Sequence, residues 1–323
     1  MKSSTVVLHE FHTFDGIGIE DRDLQDLEED MVEVKVHYCG INFADFYTIH
    51  KLASDQLPAV LGIECSGVIT NVGSSSVPFK VGDRVICYDF KGGLHRSIVR
   101  IKHEKCYAVP ENIDLKTAAS IFVNYLTAWC ALFSLGNIKD GESVFVSSCG
   151  GGVGLAIIEL VKSKKDVTIY GTASSAKRNF LESKGVHFVE YSEVAALEEN
   201  FDLIIESMNT ETRKVLTTKL NPFGRVVIIG AKGMIPGSNA AETSADPNIN
   251  PVDLIYGNTA IAGLHIGLLA DNYPQLTRIA LNSIFTQLTP ENLEIKIYPF
   301  NDAKRAYKEL ANRTNIGKII LQI

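Results

Sequence analysis

The hydrophobic rhythm of the chain changes near Asp114. Before it, apolar and polar residues alternate: Val32, Val34, Val36 and Tyr38 take turns with Glu33, Lys35 and His37. A period of two sends one set to each face of a half-buried strand, here Met31–Tyr38. Cys65–Val72, Arg84–Tyr88, Leu94–Ile101 and Cys106–Val109 read as further short strands, divided by Gly, Pro, Ser and Asp. Asn42–His50 reads as a short helix or turn, and the acidic run Glu20–Asp30 as a solvated turn.

After Asp114 the strands become short apolar runs separated by helical patterns. Val144–Ser147 and Val167–Tyr170 are predicted strands with the helix Leu155–Val161 between them. Helices follow at Ala176–Lys184 and Glu211–Leu220, and strands at His187–Glu190, Phe201–Glu206, Arg225–Gly230 and Thr259–Leu264. Met234–Pro251 reads as a long loop, placed to cover a cleft or to move. Helix Pro274–Leu288, strand Glu294–Tyr298, helix Asp302–Asn312 and strand Lys318–Gln322 end the chain. Apolar strands alternating with helices predict an α/β fold with a doubly wound parallel sheet. Thr117–Ile138 carries no charge and is long enough to span a bilayer, but Ser120, Asn124, Thr127, Ser134 and Asn137 make it too polar. It is expected to form two buried helices meeting near Val123–Tyr125.

Composition narrows the picture. At 323 residues there is room for two domains, and 46% hydrophobic with 21% charged residues is an ordinary globular balance. A net charge of −7 argues against nucleic acid as the main partner. The six cysteines (39, 65, 87, 106, 130, 149) are scattered without a C-x-x-C pair, which predicts free thiols in a reduced cytoplasmic setting. Met1–Glu10 is neither basic nor continuously apolar, so it does not read as a secretory signal. His95, His103 and His187 lie far apart, and His265 is expected in a core or interface strand, so no histidine is expected to bind metal or join a triad.

The chemistry concentrates at the first turn of the βαβ unit. Gly151, Gly152, Val153 and Gly154 open its helix, where unpaired N–H groups can face a pyrophosphate. A full G-x-G-x-x-G would need Gly at 149, where Cys149 stands, so close packing is the competing reading. The second strand runs into Gly171-Thr-Ala-Ser-Ser175 without the acid that would hold a ribose 2′-hydroxyl. Ser174, Lys177 and Arg178 suit a 2′-phosphate, so NADP(H) is favoured over NAD(H). The alternative has Ser174 capping the next helix and Lys177 on its wet face.

Six segments carry a family resemblance: Gly40-Ile-Asn-Phe-Ala-Asp45, Val123-Asn-Tyr-Leu-Thr-Ala128, Leu135-Gly-Asn137, Gly151-Gly-Val-Gly154, Val167–Ser174 and Gly263-Leu-His-Ile-Gly-Leu268. Over nearly its whole length the chain resembles the medium-chain dehydrogenase/reductase superfamily. Within it, the chain resembles the zinc-free quinone oxidoreductase branch that includes zeta-crystallin, and most of all the VAT-1 subgroup. The resemblance implies a β-rich GroES-like catalytic domain over 1–122, a Rossmann domain over 123–266, and a return to the catalytic domain over 267–323. Zinc-dependent relatives carry Cys at the place of Asn42 and His at the place of Ile63, and neither residue here suits a soft metal.

Without a Lewis acid, a quinone or α,β-unsaturated carbonyl is an easier acceptor than a simple ketone, because charge delocalises into a conjugated oxygen. In the resembled branch, the residues matching Asn42 and Tyr47 lie by the nicotinamide and the substrate. Asn42 would donate an amide N–H and Tyr47 would bind the oxygen or relay a proton. An N-cap role for Asn42 and plain packing for Tyr47 are the alternatives. The resemblance also implies that Thr127, Tyr191, Gly230 and Arg313 face NADPH. Against the family, Glu206-Ser207-Met208-Asn209 lacks the glycines that usually follow an acid there. VAT-1 relatives imply a competing function: an adaptor with weak turnover, attached peripherally to vesicle or mitochondrial membranes, that retains NADPH. Relatives are usually dimers, and the apolar stretch Ile255–Leu269 is the expected edge.

Overall fold

Strand alternation and apolar runs each build their own unit. The computed structural model describes residues 1–208, 210–230 and 250–323. Met1–Val123 and Thr289–Ile323 form one compact unit, and Asn124–Leu288 the other. The expectations for Asn209 and for the loop over residues 234–249 lie outside the described residues.

The first unit begins with β1 (Lys2–Leu8), β2 (Ile17–Asp23), β3 (Met31–Ile41), α1 (Asp45–Ile49), β4 (Ala59–Val60), β5 (Glu64–Val72), β6 (Arg84–Tyr88), β7 (Ile98–Lys102), β8 (Cys106–Ala108) and α2 (Leu115–Ala118). Then α3 (Phe122–Trp129) carries the chain into the second unit. That unit contains β9 (Ser143–Val146), α4 (Gly152–Leu160), β10 (Thr168–Thr172), α5 (Arg178–Ser183), β11 (Val186–Val189), β12 (Phe201–Glu206), α6 (Thr210–Thr217), β13 (Leu220–Ile228), α7 (Pro251–Gly257), β14 (Ala260–Gly263), α8 (Ile266–Asn272) and α9 (Pro274–Gln287). The chain returns through β15 (Ile295–Pro299), α10 (Ala303–Asn312) and β16 (Lys318–Gln322).

In the first unit the main sheet runs β15-β16-β3-β5-β6-β8, with β7 also on β3. A smaller sheet, β2-β1-β4, lies beside it. Val32, Val34 and Val36 are buried, as their alternation requires. Glu20–Asp23 corrects the sequence reading: these residues belong to β2, where Glu20 pairs with Thr5 and Asp23 with Lys2. An outer strand keeps polar side chains because one edge meets water. Leu94 and His95 lie outside β7, which starts at Ile98.

In the second unit the order β11-β10-β9-β12-β13-β14 is parallel throughout. Renumbered from β9, this is 3-2-1-4-5-6, the doubly wound dinucleotide-fold order whose ligand crevice lies where the order reverses, at the carboxyl ends of β9 and β12. Phe145, Phe201, Ile204, Leu216 and Val226 fill one side of the sheet. The uncharged segment bends at Ala119–Ile121, earlier than expected, and ends in a π-helical turn at Cys130–Leu135. None of the described helices is long and apolar enough to cross a membrane. The expected boundary at 267 moves: α8 and α9 belong with the second unit, where Trp129 Nε1 donates to Ser283 Oγ at 3.1 Å. His265 is not in a strand. Its Nδ1 accepts from the Leu268 N–H at 3.1 Å and caps α8.

Candidate functional site

The β9–α4 turn is built by exclusion of side chains. Gly151 caps α4 in extended geometry, φ −88° and ψ 176°. A Cβ on Gly152 would run into the Asn124 amide, and one on Gly154 into the Cys149 backbone. The missing first glycine has a local compensation. Cys149 is buried, and a Cβ on Gly171 of β10 would lie 2.6 Å from the Cys149 Cβ and 2.7 Å from its Sγ. The space a glycine normally leaves in the turn is left here by the neighbouring strand. Gly151 is different: a Cβ there meets only the Ser148 carbonyl, at 3.4 Å. The turn therefore packs tightly behind and leaves its first helical N–H groups without intrahelical partners.

The ends of the flanking strands bring several expected residues to this turn. Lys177 is buried, and its Cδ would lie 2.8 Å from a Cβ on Gly150. This corrects the wet-face alternative: its aliphatic stem covers the turn. Ser174 is exposed and makes no side-chain cap, so the capping alternative is also corrected. Arg178 pairs with Glu190 at 3.1 Å and stacks 4.3 Å over Phe188, so its charge is engaged along α5 and β11. Tyr191, 40% exposed, sets its hydroxyl 3.4 Å from Ser148 Oγ.

Across the switch point, Ser207 N–H donates to Ser147 Oγ at 2.7 Å. Gly230 follows β13 with Ser207 beside it. Glu206 is fully buried and pairs with Arg213 at 3.2 Å, while Ser148 Oγ donates to the Met208 sulfur at 2.7 Å. Thr127 is buried on α3, one turn from Asn124. Sequence reasoning missed Asn124 as a partner of the turn. Its signal was an amide inside an uncharged stretch expected to be buried, where a polar side chain needs a partner.

The first unit holds a buried polar network around Asn42. Asn42 Nδ2 donates to Gly40 O at 3.1 Å and to Glu64 Oε1 at 2.8 Å. Lys318 Nζ donates to Asn42 Oδ1 and to Glu64 Oε1, each at 2.5 Å. Glu64 Oε2 accepts the Val123 N–H at 3.0 Å. Both amide hydrogens of Asn42 are spent, which corrects its expected role as a donor to the acceptor oxygen. Nor does it cap α1: Ala44 occupies that place, and the Asn42 N–H donates instead to Asp45 Oδ2 at 2.8 Å.

Asp45, Tyr307 and His95 extend the network. Burial pushes the Asp45 carboxyl up to about 7, against the Asn42 N–H, Lys318 and Tyr307. Burial also holds His95 down at about 4. His95 Nε2 lies 3.2 Å from Gly40 O, which only accepts, so this nitrogen carries the proton. The neutral ring then accepts at Nδ1 from the Tyr307 hydroxyl, 3.0 Å away. Asp45, also hydrogen-bonded to Tyr307, continues this chain of polar groups. Tyr47 is half-buried on α1. Arg313 ends α10 and stacks 5.4 Å over Phe43, in the first unit, whereas Ser174, Lys177 and Tyr191 gather in the second.

Residues 28–111 match the alcohol dehydrogenase GroES-like domain family, and residues 182–321 the zinc-binding dehydrogenase family. With the two folds just described, these matches define the class: the chain belongs to the medium-chain dehydrogenase/reductase superfamily. Among individual proteins, it is similar to the synaptic vesicle membrane protein VAT-1 homolog of Danio rerio, 31% identical over 315 residues. That alignment covers 91% of this chain but 64% of the relative, so the chain spans less than two thirds of that protein's length. The human VAT-1 homolog-like crystal structure matches with a TM-score of 0.83 at 24% identity, covering 100% of this chain and 98% of that one. The Escherichia coli quinone oxidoreductase complexed with NADPH matches with a TM-score of 0.86 at 23% identity, over 99% and 100% of the two chains.

Proposed function

We propose that the protein is an NADPH-dependent, zinc-independent oxidoreductase that delivers hydride to a quinone or an α,β-unsaturated carbonyl. One observation carries this reading. The second strand of the dinucleotide fold, β10, ends without a carboxylate, and Ser174 and Lys177 stand there beside the glycine turn. A carboxylate would repel a 2′-phosphate, whereas an ammonium and a hydroxyl receive it. The NADPH complex of the Escherichia coli quinone oxidoreductase supports the same cofactor.

The donor set fits a dinucleotide phosphate. The N–H groups of Gly152, Val153 and Gly154 would receive the pyrophosphate, with Gly151 leaving the approach clear. Lys177 and Ser174 would take the 2′-phosphate, and Tyr191 would close that end. Thr127 and Gly230 would line the nicotinamide end, and Arg313 is the candidate cation of the first unit. When bound, the cofactor supplies a hydride. The chain's own task is then to orient the acceptor and return a proton to its oxygen, a role that falls to Tyr47 once the amide of Asn42 is occupied.

Zinc independence rests on donor chemistry. At the place where zinc-dependent relatives hold a Cys, Asn42 is bound by the Lys318 ammonium, and a fixed cation beside Glu64 opposes entry of a second. As partner, a second copy pairing along β14 suits the exposed Ile255, Tyr256 and Leu268 around that edge.

Fluorescence titration with NADPH and NADH tests the cofactor. Wild type is expected to bind NADPH in the micromolar range and NADH at least about tenfold more weakly, with Lys177→Met erasing most of the preference. No binding of NADPH at about 1 mM, or equal affinity for both, refutes the reading. Bound NADPH with no turnover on any quinone or enone, together with flotation on liposomes, would favour the peripheral adaptor suggested by the VAT-1 relatives.

A further inference from the structure

Four of the six cysteines, far apart in the sequence, meet in one row across the sheet of the first unit. Cys39 on β3 pairs in register with Cys65 on β5. Cys65 pairs with Cys87 on β6, and Cys87 with Cys106 on β8. Directly opposed residues on antiparallel strands point to the same face, so the four thiols stand side by side. All four are fully buried. Cys87 Sγ lies 3.8 Å from Cys106 Sγ, and Cys65 bonds Cys87 from the other side. Opposed positions of this kind have Cα separations within the range a disulfide accepts, so closing the bond needs side-chain rotation and little backbone movement.

We propose that this row is a reversible oxidation site, in which hydrogen peroxide closes a cross-strand disulfide between Cys87 and Cys106. The Cys87 sulfur attacks one peroxide oxygen, breaking the O–O bond, forming a sulfenic acid and releasing water once a proton is gained. The Cys106 sulfur then attacks the sulfenic sulfur and expels the second oxygen as water. Two thiols lose two electrons and two protons, the peroxide gains both, and a thiol reductant reverses the change. Cys87 is the first sulfur because it alone has a thiol in hydrogen-bonding contact on each side, Cys106 and Cys65, and these contacts draw its own thiol below the usual range against the effect of burial. Full burial selects a small neutral oxidant and excludes a bulky disulfide such as oxidised glutathione.

The bond has a mechanical reader. Tyr88 and Tyr107 immediately follow the two cysteines, and their rings lie 4.2 and 4.9 Å from that of Phe122, the first residue of α3. Strand alternation puts these rings on the face opposite the thiols, so the small backbone adjustment that accompanies rotation of the two cysteine side chains reaches the aromatic clamp at the start of α3. The inference is independent of the cofactor assignment.

The test treats the native protein with hydrogen peroxide, quenches it with catalase and maps thiols after denaturation. The count is expected to fall from six to four, with the tryptic peptides Val85–Lys91 and Cys106–Lys116 joined, two hydrogens lost from the intact mass, and full reversal by dithiothreitol. Cys106→Ser should abolish the link and Cys65→Ala should preserve it, while the wild-type map stands without either variant. Six intact thiols at peroxide levels that oxidise the unfolded chain would overturn the proposal. So would a sulfinic acid at Cys87 with no cross-link, or a link that omits Cys87.

Discussion

Replacing Lys318 by Met tests the buried network where its charges are least replaceable. Lys318 is 5% exposed and Glu64 fully buried. The carboxylate loses its cation in the variant and keeps two neutral donors, the Asn42 amide and the Val123 N–H. Neutral donors solvate a charge without cancelling it, and breaking a buried pair from one side costs about 3–5 kcal/mol. That is a large fraction of a domain stability of roughly 5–15 kcal/mol.

Removing the charge from both sides should cost much less. The double variant Glu64→Gln, Lys318→Met is expected to recover at least half of the loss, a coupling of about 2–3 kcal/mol. Native-state hydrogen exchange at the amides of β3, β5 and β16 reads this unit by itself. The loss should persist at high salt, because a buried pair is poorly screened. A Lys318→Met cost below about 0.5 kcal/mol, or a double variant no better than the single one, would refute the argument.

Asp45→Asn should change the pH dependence of stability. A carboxyl raised from 3.8 to about 7 stabilises fully below 3.8, and that contribution is lost as pH rises through 7. Histidine lowered from 6.5 to about 4 does the reverse: its contribution is complete above 6.5 and is lost as pH falls through 4. The groups facing this pair are Lys318, Glu64 and Tyr307, and between the two limits the opposed slopes, each on the order of 1 kcal/mol per pH unit, nearly cancel. Asp45→Asn should expose the histidine slope, so stability climbs with pH in that window; unfolding profiles parallel to wild type would contradict this. Gly152→Ala should cost about 1–3 kcal/mol and weaken NADPH binding, with Asn124→Ala restoring much of the stability in urea titrations.

What could be read in advance depended on how local the determining contacts are. Phe201–Glu206 was legible to the residue because a buried strand declares itself by an apolar centre, here Leu203–Ile205 with Phe201, bounded by acidic residues. Helix Ala303–Asn312 was nearly as clear from its period. β2 resembles a turn because a polar outer strand carries little pattern of its own, and β1, the central strand of that small sheet, escapes such a reading because its first half is Lys, Ser and Thr. The glycine turn and Lys177 were legible as candidates, but their packing was not. Whether Lys177 lies wet or buried depends on Gly150 of another element. Asn42 could not be assigned from its neighbours, since its partners sit at Glu64 and Lys318. The cysteine row was invisible for the same reason: strand register joins residues that the sequence keeps apart.

The exchange between Cys149 and Gly171 constrains which mutational routes remain open. A methyl group added first at position 171 has nowhere to go, because the cysteine sulfur already fills that space. Shrinking Cys149 to glycine first leaves a small void beside β10 that the fold can tolerate. Any path that restores the complete glycine fingerprint and then puts a side chain back on β10 must therefore take those two steps in one order, a one-way passage set by two atoms of a single thiol side chain.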